Sequence, residues 1–325
     1  MSTYDSDPGS RVDVATGYDK EIVGFYDLAH EGAQLRLIAS QVAAGEFSSL
    51  RGFSPRSIVI VAGDGLSAVV ARLAVALRTP LAMPVVISDS LPTYVGALDV
   101  VIVVTEKGDD ETLSKAVITA GNRGCVVVLC AAAGLLKEDA AKDALVCASL
   151  PQVEGPSPMR TVGVILASID SLSEDPLILA QHLEHMAELI DQELEICSPE
   201  RDEVVNPARQ LAQLDGRIIH TGKNRVGLAV AEAVTYLWAT QGRTSTSLSF
   251  VELGIAREKF IGNSTDIFYD PFFDEGSNLL PLNIVVWCTP EPGFVGAIAQ
   301  STKDPTPLGS PLQLLTRAFA ATAFF

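Results

Sequence analysis

The chain has 325 residues, 48% hydrophobic and 19% charged, which suits two domain-sized cores and is too apolar for disorder. Its 40 Asp and Glu outweigh 23 Lys and Arg, for a formal charge of −17, so nucleic acid and anionic membrane surfaces should repel it. No run of Lys and Arg reverses this locally, and no strongly apolar run approaches the about 20 residues that a membrane span needs. Residues 1–20 show no signal-peptide pattern. The five cysteines, Cys125, Cys130, Cys147, Cys197 and Cys288, form no C-x-x-C pair. They read as structural thiols of a reducing, cytoplasmic setting.

Residues 1–20 read as a loose polar tail. From Lys20 to Glu46 the apolar residues Ile22, Tyr26, Leu28, Leu35, Ile38 and Val42 recur at helical steps. Ser57–Ala62 is a continuous β-branched run, the habit of a strand buried on both faces. Gly63-Asp64-Gly65 breaks it, and Ser67–Leu77 is helical again. Leu81–Ile87, Asp99–Val104 and Cys125–Cys130 read as further strands, with a helix over Glu111–Gly121. Pro151, Pro156 and Pro158 mark a change of direction. Val162–Leu183 is apolar and partly helical, and Pro176 opens a helix carrying His182, His185 and Glu188.

The second half begins similarly. Asn206-Pro207 opens a helix that runs to Leu214. Gly216–Gly222 is a strand and Val226–Trp238 a helix. Ser247–Glu252 and Leu282–Cys288 read as strands, and Pro311–Phe325 as an apolar helix. This alternation predicts an α/β protein of two parallel-sheet halves, residues 21–155 and 156–325.

Three loops follow strands and precede helices, where ligands gather in such sheets. The first is Gly63, Asp64, Gly65 and Ser67, compatible with a tight turn, an anion or sugar site, or a loose G-x-G-x-x-A dinucleotide fingerprint with Asp89 on the ribose. The second is Thr105–Thr112, where Thr105, Gly108 and Thr112 could meet a ligand. Asp109, Asp110 and Glu111 suit helix capping better than phosphate binding. The third combines His220, Thr221, Gly222, Lys223, Asn224 and Arg225, a mixture of acid–base group, hydroxyl, amide and cations that suits an anionic sugar or a solvated loop. His182, His185 and Glu188 share a helix face, but no further cluster with ligand spacing supports a metal. No metal and no cofactor is expected.

Taken together, Val61-Ala-Gly-Asp-Gly-Leu-Ser-Ala68, Asn206-Pro-Ala-Arg-Gln-Leu-Ala212 with Gly216-Arg217, and Asp304-Pro-Thr-Pro307 resemble the tandem sugar-isomerase (SIS) domain family. Within it, they are similar to the bifunctional phosphoglucose/phosphomannose isomerases of the divergent actinobacterial branch. The resemblance implies two SIS-type, flavodoxin-like three-layer domains and aldose–ketose isomerisation of a hexose phosphate such as glucose 6-phosphate or mannose 6-phosphate. It also implies a homodimer whose site a partner chain completes, with Phe319, Phe324 and Phe325 as candidate interface residues.

The departures fall on the chemistry. The family's S-x-S-G-N-T phosphate loop is Thr105-Glu106-Lys107-Gly108-Asp109-Asp110 here. Its glutamate base, in N-E-N, falls on Ala239-Thr240-Gln241-Gly242, and its ring-opening histidine, in H-N-E, on Arg257-Glu258-Lys259. Its final-helix lysine is replaced by Leu315-Thr316-Arg317. Glu252 or Glu258 would have to serve as base and His220 as acid. A phosphosugar-binding or regulatory protein without catalysis is the alternative, and a nicotinamide-dependent oxidoreductase a third.

Overall fold

The computed structural model describes residues 19–150, 155–261, 280–303 and 305–325. Most of the expected tail lies outside these residues. Asp19 caps the first helix, α1 (Lys20–Leu28), by accepting from the Glu21 N–H at 3.0 Å. The expected Lys20–Glu46 helix is two helices, α1 and α2 (Glu31–Ala43), broken at Ala29-His30.

The first sheet follows. Its elements are β1 (Ser57–Ala62), α3 (Gly65–Arg78), β2 (Val85–Ser88), β3 (Asp99–Val104), α4 (Glu111–Asn122), β4 (Val126–Cys130), α5 (Leu135–Glu138) and β5 (Leu145–Val146). All strand pairs are parallel, in the order β2-β1-β3-β4-β5. β2 starts after Pro84, later than expected from Leu81, since proline cannot donate to the ladder. β5, only two residues long, has no counterpart in the sequence reading.

Every residue of β1 and β3 is buried. Ile58, Ile60, Val100 and Ile102 face one core, while Val59, Val61, Val101 and Val103 face another under α4 and α5. That two-sided burial explains the continuous β-branched run, each such side chain contributing about 1.5–3 kcal/mol.

Three later helices begin with a capping residue followed by proline. They are α6 (Pro158–Asp170) after Ser157, α7 (Pro176–Ile196) after Asp175 and α8 (Pro207–Ala212) after Asn206. The cap's oxygen takes an unpaired N–H, and proline lacks the N–H that a first helical position would leave open. Asn206 is fully buried. Its Oδ1 accepts from Ala208 and Arg209 N–H groups while its Nδ2 donates to the Cys197 and Ser198 carbonyls. The N-P-A stretch is therefore a structural joint. α6 packs on β3 and β4 and on α2 and α3, so it belongs to the first sheet's inner layer.

The second sheet contains β6 (Arg217–Gly222), α9 (Arg225–Thr240), β7 (Thr246–Ser247), α10 (Phe250–Ile261), β8 (Leu282–Trp287), β9 (Ile298–Gln300) and α11 (Gly309–Ala321). Its parallel order is β7-β6-β8-β9. The expected strand over Ser247–Glu252 is instead the end of β7 and the start of α10. Ser249 and Glu252 form a capping box there: the Glu252 carboxylate accepts from the Ser249 N–H at 3.1 Å, and Ser249 Oγ accepts from the Glu252 N–H at 3.3 Å.

The inner faces of both sheets share one core, with α3 packed on α9 and α7 packed on α2 and α11. α10 covers the outer face of the second sheet through Leu253, Phe250 and Phe260. Phe319 and Phe324 are used within this chain rather than presented to a partner. Phe319 is buried, and Phe324 stacks on Phe25 at 6.3 Å beneath the Arg209 guanidinium at 4.3 Å. Phe325 is partly exposed and meets Trp238 edge to face at 5.4 Å. Among the described residues no helix is long and apolar enough to cross a membrane.

Candidate functional site

In both sheets the chain leaves the first strand to build on one side and later returns to build on the other. The carboxyl-end crevice therefore falls between β1 and β3 in the first sheet and between β6 and β8 in the second. These two places differ sharply.

Between β1 and β3 a protein carboxylate stands where an anion would bind. Asp64 Oδ1 accepts from the Ser67 N–H at 2.8 Å and caps α3. Its Oδ2 accepts from Ser67 Oγ at 2.9 Å, Thr105 Oγ1 at 3.1 Å and the Glu106 N–H at 2.8 Å. Two hydroxyls and two N–H groups of this crevice are thus taken by the chain itself. Gly63 packs against Leu113 and Thr105, and a Cβ on Gly65 would overlap the Tyr236 ring of α9. The glycine turn is explained by close packing, including packing between the two halves. Asp89 is exposed past the end of β2, the strand beside β1.

The loop after β3 is likewise occupied. Asp110 caps α4 by accepting from the Thr112 and Leu113 N–H groups at 2.9 and 3.0 Å, and Asp109 accepts from the Leu135 N–H at 3.0 Å. Gly108 lies against the Ala133 carbonyl. Glu106 pairs with the buried Arg160 at 2.7 Å and accepts from the Ser157 N–H at 3.2 Å. Burial raises the Glu106 pKa, with Arg160 opposing the rise. The acids here are capping and bridging groups.

In the second sheet, His220 lies on the inner face of β6 and is fully buried. Its Nδ1 accepts from the Trp287 indole N–H at 3.2 Å, its Nε2 has no partner, and its ring meets Trp238 edge to face at 4.7 Å. Desolvation pushes its pKa down to about 3. It is a neutral core residue, whereas the expected acid role requires a ring that a substrate can reach. Thr221 is also fully buried, with its hydroxyl unpartnered. A Cβ on Gly222 would overlap the Gly227 backbone, so this glycine lets β6 turn tightly into α9.

The other two acid–base candidates do not join His220. Glu252 is exposed and capped into the start of α10, where bonds from Ser249 hold its pKa below the ordinary glutamate value. Glu258 is exposed further along α10. The last-helix Arg317 pairs with the buried Glu193 at 2.6 Å and donates to Gln300 Oε1 at 2.8 Å. His182 and His185 are exposed beside Glu174 and Glu188, each at 3.6 Å. Among the described residues no three of His, Cys, Asp and Glu converge as metal ligands.

Beside Asn224 a cleft of about 650 Å³ opens at the carboxyl ends of β6, β8 and β9. Asn224 and Val226 line it from the third loop, while Lys223 pairs with Glu291 at 3.5 Å and Arg225 is exposed. Cys288 and Thr289 follow β8, Ser301–Lys303 follow β9, and Thr306 and Ser310 precede and open α11. Cys288 has φ 59°, alone among the described non-glycine residues in the left-handed region, and burial pushes its thiol up to about 12. None of the described lining residues is acidic.

Sequence reasoning missed most of this wall because β9 is three residues long in a stretch punctuated by Pro290, Pro292, Gly293 and Gly296. The legible signal was Ser301-Thr302-Lys303, a hydroxyl–cation run between a strand and a helix. Of the quoted D-P-T-P stretch, Pro305, Thr306 and Pro307 line the cleft, and Asp304 lies outside the described residues.

Fold and crevices define a two-sheet parallel α/β architecture with carboxyl-end sites. No protein-family model and no curated protein sequence matches the chain. Solved structures do. Tagatose-6-phosphate ketose/aldose isomerase from Escherichia coli superposes with a TM-score of 0.59 at 14% identity, covering 96% of this chain and 95% of that one. The C-terminal domain of glucosamine-fructose-6-phosphate aminotransferase from Francisella tularensis gives 0.60 at 11%, covering 96% and 98%. Glucosamine-6-phosphate deaminase from Thermotoga maritima gives 0.58 at 9%, covering 94% and 92%. The chain has the fold of these sugar-phosphate proteins.

Proposed function

We propose that this protein binds a phosphorylated sugar, or a closely related anionic carbohydrate derivative, without isomerising it. The fold shared with proteins named for sugar phosphates supports the ligand class. The non-catalytic part is supported by the sequence's departures from the family's base, histidine and phosphate loop, at Ala239–Gly242, Arg257–Lys259 and Thr105–Asp110. Moving a proton between C1 and C2 requires a base within hydrogen-bond reach, and losing it removes a factor on the order of 10²–10⁴. The two carboxylates at the other crevice, Asp64 and Glu106, are held by four donors and by Arg160 respectively.

The same reading takes the two sheets as tandem SIS-type units related to the bifunctional isomerases. The packing of α6 on the first sheet supports a division after α6 in place of one at residue 155. A cytoplasmic homodimer fits the five free cysteines and the family resemblance.

The test is a thermal-shift panel of glucose 6-phosphate, mannose 6-phosphate and fructose 6-phosphate, paired with a coupled isomerase assay. Saturating ligand at 100 times its Kd should stabilise the fold by about 2.7 kcal/mol. Stabilisation without turnover is expected. Turnover overturns the non-catalytic part, and absence of any shift overturns the ligand class.

A further inference from the structure

We propose that the anionic ligand binds in the second sheet's cleft and not at the loop after β3; this rests on the phosphosugar reading above. The two sheets share the strand order of their first four members, so each has one crevice of the kind that holds ligands in open α/β sheets. The residues capping the first crossover helix correspond: Asp64 accepts from the Ser67 N–H, and Asn224 Oδ1 accepts from the Gly227 N–H, both at 2.8 Å. The capping geometry is the same and the charge is not.

In the first crevice the cap is an anion that already holds four nearby donors. A phosphate there would face Asp64 and Glu106 and would find the hydroxyls taken. In the second the cap is a neutral amide whose Nδ2 has no partner among the described residues. Arg225 beside it and Lys303 across the cleft likewise make no hydrogen bond or ion pair among those residues. In a chain of formal charge −17, Lys303 is thus a cation on a cleft whose described lining holds no acid, a favourable place for an anion. Hydroxyls of Ser301 and Thr306 and the amide of Asn224 supply neutral donors, and Val226 and Leu314 supply an apolar wall for a sugar ring. A volume of about 650 Å³ admits a hexose phosphate.

The test is titration calorimetry on the full chain with glucose 6-phosphate, mannose 6-phosphate, fructose 6-phosphate, free glucose and inorganic phosphate. Three variants are compared with the unaltered protein. Asn224→Asp keeps a capping oxygen, so α9 still starts normally, and places a carboxylate in the cleft. Lys303→Ala removes the cation. Asp64→Asn lowers the charge of the first crevice while keeping its cap. The placement predicts that Asn224→Asp and Lys303→Ala each weaken hexose phosphate binding about tenfold or more, and that Asp64→Asn leaves it unchanged.

Binding that ignores Asn224→Asp and Lys303→Ala but tightens in Asp64→Asn overturns the placement and leaves the phosphosugar reading standing. Failure of the unaltered protein to bind any hexose phosphate overturns both. Inorganic phosphate binding as tightly as the hexose phosphates overturns the assignment of a sugar. Circular dichroism and thermal melts of each variant establish that the compared proteins are folded.

Discussion

Trp287 donates its indole N–H to Nδ1 of His220 at 3.2 Å, so the most reactive-looking residue of the third loop is a hydrogen-bond acceptor inside the core. An imidazole that accepts at Nδ1 carries its proton on Nε2, and that nitrogen is buried without a partner. Protonating the ring would bury a charge with nothing to pair it. His220 should therefore stay neutral across the whole range in which the fold survives. Ring-proton NMR should show no titration of this residue near the ordinary value of 6.5. A midpoint there would sink the core placement and reopen an acid role.

Asp64 accepts four hydrogen bonds that tie the β1 turn to the β3 loop. Asp64→Ala leaves those donors without an acceptor and removes a helix cap, for a loss of about 2–3 kcal/mol. Asp64→Asn should cost less, because its oxygen still caps α3. Denaturant unfolding of both variants checks the ranking. Equal, negligible losses would mean that Asp64 is not the internal anion of this crevice.

Two glycines marked as ligand contacts should respond differently to alanine. At Gly65 the added Cβ meets the end of the Tyr236 ring, which can swing aside, so the cost should be about 1 kcal/mol. At Gly222 it meets Gly227 backbone, which cannot move without opening the β6–α9 turn, and about 3 kcal/mol or more is expected. The two thermal melts give the comparison directly. A reversed order would contradict the packing explanation.

Glu31 on α2 accepts from the Met159 N–H at 2.7 Å, and burial raises its pKa from 4.5 to about 7. Ser157, Glu106 and Arg160 are the other groups that act on it. The folded state holds the proton more tightly, so its contribution is complete below 4.5 and is lost as pH rises through 7. His220 acts in the opposite sense: its folded pKa is depressed, so its contribution is present above 6.5 and is lost as pH falls toward 3. Glu31→Gln removes the first effect and keeps an acceptor for Met159. It should gain up to about 3 kcal/mol relative to the unaltered protein near about pH 8 and little near about pH 4. A pH-independent difference would refute the assignment.

Thr221 hides an unpartnered hydroxyl on β6. Thr221→Val removes a polar group that makes no hydrogen bond, so stability should hold within about 1 kcal/mol or rise. Hexose phosphate binding should also be unchanged. Loss of binding in a variant of normal stability would return Thr221 to the ligand site.

The central strands and several helix starts are legible in the local sequence. Ser57–Ala62 and Asp99–Val104 match the structure at both ends, because a strand buried on both faces selects unbroken β-branched residues. Pro176 and Pro207 mark their helices because a cap followed by proline is a purely local device. The start of α10 is open to the same logic, since Ser249-Phe-Val-Glu252 is a capping-box spacing, but its apolar residues equally suit a strand.

The bonding of the loops depends on partners that packing brings from far along the chain. Gly65 has its reason in Tyr236, Glu106 in Arg160, and His220 in Trp238 and Trp287, all distant along the chain. A loop's residue types show which bonds it can make, while the fold decides whether the chain itself has already made them. At Asp64 it has, and at Asn224 the cap is equally local but the cleft beside it is open.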